Sequence, residues 1–316
     1  MSHRDDVPQL SSLLASQKPS AIAAEVRGIF TRHYPARRYS RVSHAVNIVR
    51  KLFVGSFPGY RACNTEYHNL AHTMDALLAS ARIVDGFNIQ NPPLPPNIVE
   101  NLFCAALLHD TGYIQESWDT EGTGAKYTAT HVERSVNFLM KNRDAFGLDD
   151  ESIRVITNTI RCTGLSVDLG TIPFASDIEQ YAGCIMGTAD ILGQMSDRAY
   201  LEKLLFLYYE FKEAGIAGFD TEFDLLRKTV DFYQITKKRL SESYQNIHIY
   251  SQHHFKHRHG IDTNLYLEAI ERQIEYLEKI IDDDSTNFRH KLKRGPWVHD
   301  YRGSDDTAPE TGHSPS

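Results

Sequence analysis

The 316-residue sequence has no basic surplus and no closely spaced cysteines. Its formal net charge is −7, whereas domains whose main task is to neutralise a phosphate backbone usually carry an excess of Lys and Arg. The four cysteines lie far apart and form no C-x-x-C pair, which argues against a zinc ribbon or a disulfide framework; they are Cys63, Cys104, Cys162 and Cys184. We therefore expect a cytoplasmic protein that forms no stable complex with nucleic acid.

Long hydrophobic runs are also absent. No window approaches the roughly 18 consecutive apolar residues that a membrane helix needs, and residues 1–10 lack the basic stretch and apolar run of a signal peptide. We expect a soluble, unprocessed protein without a membrane partner. Hydrophobic residues make up 41% of the chain, which is enough for a substantial core.

Apolar residues recur at a spacing of three to four along most of the chain, and strand-like alternation is nearly absent. The predicted helices span 21–34, 39–55, 65–85, 97–112, 126–145, 150–162, 176–194, 197–214, 221–247 and 262–282. Residues 1–20 and 283–316 are polar and are predicted to be flexible tails. Because no long linker divides the rest, the sequence predicts one all-α domain over residues 21–282.

Three titratable residues share one face of the helix predicted at 65–85. His68, His72 and Asp75 fall at positions i, i+4 and i+7, which align on one side of a helix. A helix that only packs a core would carry Leu or Ala there, and a solvated face would carry Lys and Glu. Two histidines four residues apart also arise by chance in a chain with 15 histidines, so this pattern alone leaves both interpretations open.

Two further positions place acidic groups within apolar stretches. His109 and Asp110 end a strongly apolar helix, and Asp190 interrupts the apolar segment 185–192. A buried aspartate is costly unless it is paired or bound to a cation, although a helix-terminal His followed by a turn-forming Asp is an alternative for the first pair. Two histidines and two aspartates would suit Zn, Mn or Fe(II), with Mg at a second, oxygen-rich position.

The order H-x3-H, H-D and a later D resembles the signature of the HD-domain metal-dependent phosphohydrolase superfamily. Residues 67–75, YHNLAHTMD, are similar to the Y-H-N-x-x-H-x-x-D stretch of class I cyclic-nucleotide phosphodiesterases. The resemblance covers residues 60–195 and implies a helical bundle of the HD/PDEase type. It also implies a first metal ion bound by His72, His109, Asp110 and Asp190, and a second ion that Asp110 bridges to the first. A metal-bound hydroxide would attack the phosphorus atom. His68 would be the general acid.

Further residues are candidates for supporting roles at this site. His131, Asp75 and Glu133 are candidates for a second-metal site or for orienting a ligand, although a solvated surface acid is an equally good interpretation of Asp75 and a better one of Glu133. Candidates for substrate binding are Tyr67, Asn69 and Gln194. The phosphodiesterases carry a histidine where this chain has Tyr113, so the second ion is expected to be bound more weakly and to keep more water.

We therefore expect a phosphohydrolase with one or two divalent ions (Zn, Mn, Fe or Mg) that cleaves a phosphodiester or phosphomonoester of a nucleotide. Alternatives are another small phosphate ester, an HD-type di-iron oxygenase, or a metal-retaining module without catalysis. The histidine-rich segment 248–259 could gather substrate phosphate, but the interpretation as a solvated basic loop is favoured. The long helices at 221–247 and 262–282 could form a homodimer.

Overall fold

The structure is a computed structural model that describes residues 9–13, 18–164, 167–283 and 285–294. Its central element is the helix Leu70–Gln90. Small and apolar residues surround nearly its whole circumference, and such a helix is stable only when other helices cover it on several sides. The helix carries His72 in its first turn. It therefore places one candidate ligand inside the core.

The described residues contain twelve α-helices and no strand. They are α1 (Pro19–His33), α2 (Ser40–Phe53), α3 (Leu70–Gln90), α4 (Pro96–Leu108), α5 (His131–Lys141), α6 (Arg143–Phe146), α7 (Asp150–Arg161), α8 (Asp177–Met195), α9 (Tyr200–Glu213), α10 (Glu222–Lys238), α11 (Ile249–His259) and α12 (Leu265–Asp282). The predicted all-α, single-domain fold is confirmed. No described helix combines the length and the apolarity that crossing a bilayer requires.

Helix α3 packs against α1, α4, α8 and α11. At the α3–α8 contact, a Cβ atom added to Gly193 would lie 2.9 Å from the backbone nitrogen of Ala76 and from the carbonyl carbon of Asp75. Only glycine allows the two backbones to approach this closely. Because Asp190 lies one turn before Gly193, this close approach carries its carboxylate toward the first turn of α3.

The start of α3 differs from the prediction. Asn69 has an extended backbone, and its side-chain oxygen accepts hydrogen bonds from the backbone N–H groups of Ala71 and His72. This is the geometry of a helix N-cap, so the helix begins at Leu70 and not near residue 65. His68 consequently precedes the helix, and the predicted shared helical face of His68, His72 and Asp75 is wrong.

The histidine-rich segment 248–259 is largely helical, and the interpretation as a solvated basic loop is wrong. Helix α11 lies against α3 and buries His254. The buried carboxylate of Asp85 on α3 accepts hydrogen bonds from His33, His254 and Arg258 at 2.7–2.8 Å. Part of the segment's positive charge therefore stabilises the α3–α11 contact.

The predicted C-terminal tail contains an ordered contact with the domain. Leu292 is buried, and Arg289 forms an ion pair with Glu222 at 2.6 Å. Residues 285–294 thus pack against the helices that precede them. Of the two predicted tails, residues 1–8, 14–17, 284 and 295–316 lie outside the described residues.

Candidate metal centre

Four predicted ligand atoms lie close together where α3, the end of α4 and α8 meet. The Nε2 atoms of His72 and His109 are 3.2 Å apart. From His72 Nε2 the distances are 3.1 Å to Asp110 Oδ2 and 3.2 Å to Asp190 Oδ1. From His109 Nε2 the same two oxygens lie at 3.3 and 3.4 Å. The structure therefore brings together side chains that come from three separate parts of the chain.

The orientation of these groups fits a metal ion. The Nδ1–H of His109 donates to the carbonyl of Ala106 at 2.9 Å, which leaves its Nε2 as the lone-pair atom that faces the other ligands. Among the described residues, Asp110 Oδ2 and Asp190 Oδ1 are buried without a hydrogen-bond partner, and buried polar atoms rarely stay unpaired. Ligand atoms about 2.1 Å from a shared ion would be separated by about 3 to 3.5 Å. His72, His109 and Asp110 form a buried group that can hold a metal ion.

Opposite charges shift the pKa values in this cluster. Burial lowers the pKa of His72, but the negative carboxylates of Asp110 and Asp190 beside its Nε2 atom outweigh this effect and raise the pKa to about 9. The pKa of His109 is raised well above its usual value for the same reason. Burial raises the pKa of the two carboxyl groups, but the histidines outweigh it and lower both values. The carboxylates are therefore ionised at neutral pH, and metal binding would displace protons from the imidazoles.

A second position lies on the other side of Asp110. Its Oδ1 atom is 3.9 Å from His131 Nε2, and the Nδ1–H of His131 donates to the carbonyl of Thr128 at 2.6 Å. Gly112 permits this approach, because a Cβ there would lie 1.9 Å from the carbonyl oxygen of His131. Burial lowers the pKa of His131, which favours the neutral imidazole that ligation requires. With two protein ligands, an ion here would keep several waters.

His68 lies beside the cluster, and two contacts orient its imidazole ring. Its Nδ1 is 2.6 Å from Glu210 Oε2 on α9, and its ring stacks on Tyr113 at 4.2 Å between centroids with an interplanar angle of 10°. Tyr113 stacks in turn on His131 at 4.7 Å. The ring centroids of His68 and His72 are 6.0 Å apart. With Nδ1–H donated to Glu210, the other ring nitrogen of His68, Nε2, lies 3.5 Å from the hydroxyl oxygen of Tyr113.

Sequence reasoning missed Glu210 and the stacking role of Tyr113. Glu210 lies 142 residues from His68 and belongs to a helix whose pattern shows no catalytic motif. Its other oxygen accepts the backbone N–H of Tyr67 at 2.7 Å. An acid on the buried side of an amphipathic helix is a weak signal that it has a partner, but the sequence does not identify that partner.

Residues 116–271 match the model of a protein family described as Npun_R2479-like. The matched segment includes His131, Asp190 and Glu210 and begins after the H-x3-H and H-D motifs. No curated protein matches the chain. The family description states no activity, so the chemistry has to be argued from the side chains.

Two other predicted site residues have structural roles. Asn69 uses its side-chain oxygen to cap α3 and its amide to donate to the carbonyl of Glu66 at 2.6 Å; its role in substrate binding stays a prediction. Glu133 forms a two-pronged ion pair with Arg161 at 2.8 and 3.1 Å, and its side chain is 59% exposed. This exposure fits the favoured interpretation of Glu133 as a surface acid, and its alternative role in a metal site stays a prediction.

Asp75 lies behind the cluster, in a small polar cavity that it shares with His72, Asp197 and Lys203. Burial and the charge of Asp197 raise the pKa of Asp75 to about 7, against the opposing charges of Lys203 and His72. The structure shows no hydrogen bond between Asp75 and His72. Its predicted role in orienting the imidazole stays a prediction.

A large cavity of about 1020 Å³ opens from the cluster. Side chains of the cluster line part of its wall, and so do the candidate substrate-binding residues Tyr67 and Gln194. Tyr67 is buried, and its hydroxyl has no hydrogen-bond partner among the described residues. A substrate in this cavity would reach the metal ligands and His68 at the same time.

Proposed function

We propose that this chain is a metal-dependent phosphohydrolase that cleaves a phosphate monoester or diester. One juxtaposition carries the proposal: four nitrogen and oxygen ligand atoms converge at the same cavity wall where His68 presents an oriented imidazole nitrogen. Hydrolysis of a phosphate ester requires stabilisation of the phosphoryl charge and a proton for the leaving alkoxide. The two halves of this site fit those two requirements.

The first half is the ligand set. A Zn, Mn, Fe or Mg ion held by His72, His109, Asp110 and Asp190 would polarise the phosphoryl group and lower the pKa of a bound water, and Asp110 with His131 would hold a second ion. Ionised carboxylates at the centre supply the negative charge that such ions need.

The second half is the proton donor. Glu210 accepts the Nδ1–H of His68, which holds the imidazole ring in one orientation at the cavity wall, with the hydroxyl of Tyr113 3.5 Å from its Nε2. A proton held on this atom would pass to the oxygen of the departing alcohol. Stacking on Tyr113 limits rotation of the ring. General acid catalysis of this kind typically contributes roughly 10²–10⁴-fold to the rate.

We also propose that the domain is an HD-type phosphohydrolase of the cyclic-nucleotide phosphodiesterase-like branch. The stretch 67–75 and the order of the four ligands support this assignment. The resemblance implies a nucleotide as substrate, whereas the lining of the cavity bears separately on the alcohol part of the ester. The His68–Glu210 pair argues against a module that only retains metal, because such a module has no use for a fixed proton donor. A di-iron oxygenase of the HD type would need further histidines, and none occurs between His131 and Asp190.

The deciding experiment combines metal analysis with a hydrolysis assay. Untreated protein is analysed by inductively coupled plasma mass spectrometry and is then assayed on p-nitrophenyl phosphate and bis(p-nitrophenyl) phosphate with Mn²⁺ or Mg²⁺. We expect at least one bound ion per chain and hydrolysis that a chelator abolishes and added metal restores. Bound metal without hydrolysis of either ester, or metal-dependent oxygen uptake, would overturn the proposal.

A further inference from the structure

The cavity in front of the cluster is much larger than a phosphate group requires. Its volume of about 1020 Å³ lies at the upper end of the roughly 300–1,000 Å³ that pockets for drug-sized ligands occupy. The ligand cluster and His68 account for only a small part of its lining. The rest of the wall must therefore contact the remainder of the substrate.

That wall is mainly apolar, and three helices contribute a large part of it. Helix α9 contributes one row of side chains, and α8 and α10 contribute the neighbouring ones. The apolar residues from these helices are Ile191, Met195, Leu204, Leu207, Phe211, Leu225 and Phe232. An apolar surface of this extent is costly to leave in contact with water, so it favours an apolar occupant.

The positive charges of the cavity wall are already engaged. Arg161 forms its two-pronged pair with Glu133. Lys228 donates to the carbonyl oxygen of Gly218 and lies 5.1 Å from the centre of the Phe219 ring. A nucleoside triphosphate needs several cationic groups along its phosphates. The described part of the wall offers no such cluster, so a polyphosphate fits this cavity poorly.

We infer that the substrate is a phosphate ester in which a single phosphate carries a large apolar alcohol, such as a long aliphatic chain. The inference rests on the proposed phosphohydrolase function and narrows its substrate class. The phosphate would lie at the ligand cluster and the chain along α9. In the reaction, water forms the new bond to phosphorus, the P–O bond to the alcohol breaks, and the departing oxygen receives a proton from His68.

The test is a series of alkyl monophosphates with methyl, hexyl and decyl chains, assayed below their micelle concentrations with Mn²⁺ by the release of the alcohol. Full burial of one methylene can raise kcat/KM about fourfold, so even partial burial should give at least a 100-fold rise from methyl to decyl. Adenosine monophosphate and cyclic adenosine monophosphate are assayed beside them, and slower turnover than for the decyl ester is expected.

The outcomes separate the two proposals. Hydrolysis of the methyl ester with no gain from longer chains would overturn the substrate inference and leave the phosphohydrolase function standing. Faster turnover of either adenosine nucleotide would also overturn it, in favour of a nucleotide. If no ester and no nucleotide is hydrolysed, the proposed function fails and this inference fails with it.

A pair of matched variants links the effect to the cavity wall. Leu207 lines the cavity, whereas Leu205 lies on the same helix, is similarly half-buried and is not part of the wall. Leu207→Gln should lower the decyl-to-methyl ratio of kcat/KM about tenfold, and Leu205→Gln should leave the ratio unchanged. Equal effects of the two variants would overturn the inference. If Leu207→Gln loses its helical circular dichroism, Phe232→Gln on α10 provides the same comparison.

Discussion

The Oε2 atom of Glu210 lies 2.6 Å from Nδ1 of His68, although the two residues are 142 positions apart in the chain. The same carboxylate accepts the backbone N–H of Tyr67 through its other oxygen. Glu210 therefore fixes both the imidazole ring and the backbone that carries it. This places a residue of α9 in direct control of the proposed proton donor.

Replacing either member of this pair should slow catalysis without removing metal. His68→Ala should lower kcat roughly 10²–10⁴-fold, because the leaving alkoxide loses its proton donor. Glu210→Gln keeps a hydrogen-bond acceptor but loses the charge, so we expect a smaller loss of kcat. Both variants should retain the metal content of the wild type in mass spectrometry, and normal turnover in both would contradict the assigned role.

Asp190→Asn should lower the metal content and the activity together. In the wild type, an oxygen of Asp190 lies 3.2 Å from His72 Nε2. The substitution removes the negative charge of this carboxylate, and a neutral amide is a weaker ligand for Zn or Mn. The control is Glu242→Gln, which changes an acid that is 66% exposed and pairs with Lys238, and it should leave the metal content unchanged. Equal metal content in both variants would contradict the role of Asp190.

His131→Ala should affect only the second ion. In a Mn²⁺ titration followed by calorimetry, we expect the tighter binding step to persist and the weaker step to weaken further or vanish, because His131 faces only one oxygen of Asp110. Loss of the tighter step as well would show that His131 supports the first position. A single binding step in the wild type would contradict the second position altogether.

Gly193→Ala should destabilise the fold and disturb the cluster. The added Cβ would lie 2.9 Å from the backbone of α3, and overpacking of this kind costs about 1–3 kcal/mol. The control is Gly28→Ala in α1, where the nearest atom would be 3.7 Å away and the free energy of unfolding should rise by about 0.5–1 kcal/mol. Urea unfolding measures both changes, and a stabilising effect at position 193 would contradict the close helix contact.

Asp85 should stabilise the protein in a pH-dependent way. Burial raises the pKa of Asp85, but the hydrogen bonds from Arg258, His254 and His33 outweigh it and hold the pKa below its usual range. Because the unfolded chain has the higher pKa, near 3.9, the carboxylate stabilises the fold above about pH 4, and this contribution is lost as the pH falls. The gap in unfolding free energy between wild type and Asp85→Asn should therefore shrink from pH 7 to pH 3.

The control for this comparison is Asp150→Asn. Asp150 pairs with Arg143, but its side chain is 86% exposed, and such surface pairs contribute roughly 0–1 kcal/mol. The variant should stay close to the wild type at both pH values. A gap for Asp85→Asn that widens toward pH 3 would contradict the assigned pKa direction.

The sequence predicted the helical fold and the residues that converge because both leave local signals. Apolar periodicity marks α4 and α8, and an aspartate inside such a run marks a buried group that needs a partner, as with Asp110 and Asp190. The predicted start of α3 was too early, because the side chain of Asn69 caps the helix and makes Leu70 its first residue. The spacing between His68 and His72 carries no information about this cap. A cap of this kind is visible in the sequence only as one of several candidates.

Two other features depend on contacts distant in the chain. Helix α11 carries few apolar residues, and part of its burial depends on His254, whose partner Asp85 lies 169 positions away. Glu210 acquires its role only when α9 packs beside the segment that precedes α3. Neither contact follows from spacing, because the pairing is set by how the helices pack.

The depth of the four-ligand cluster has a consequence for how quickly an ion can come and go. His72, His109 and Asp110 are each at most 5% exposed, but the large cavity is lined by His72, Asp110 and Asp190. An ion held there would therefore enter and leave through the cavity, so a molecule that fills the cavity should slow the loss of the ion to a chelator.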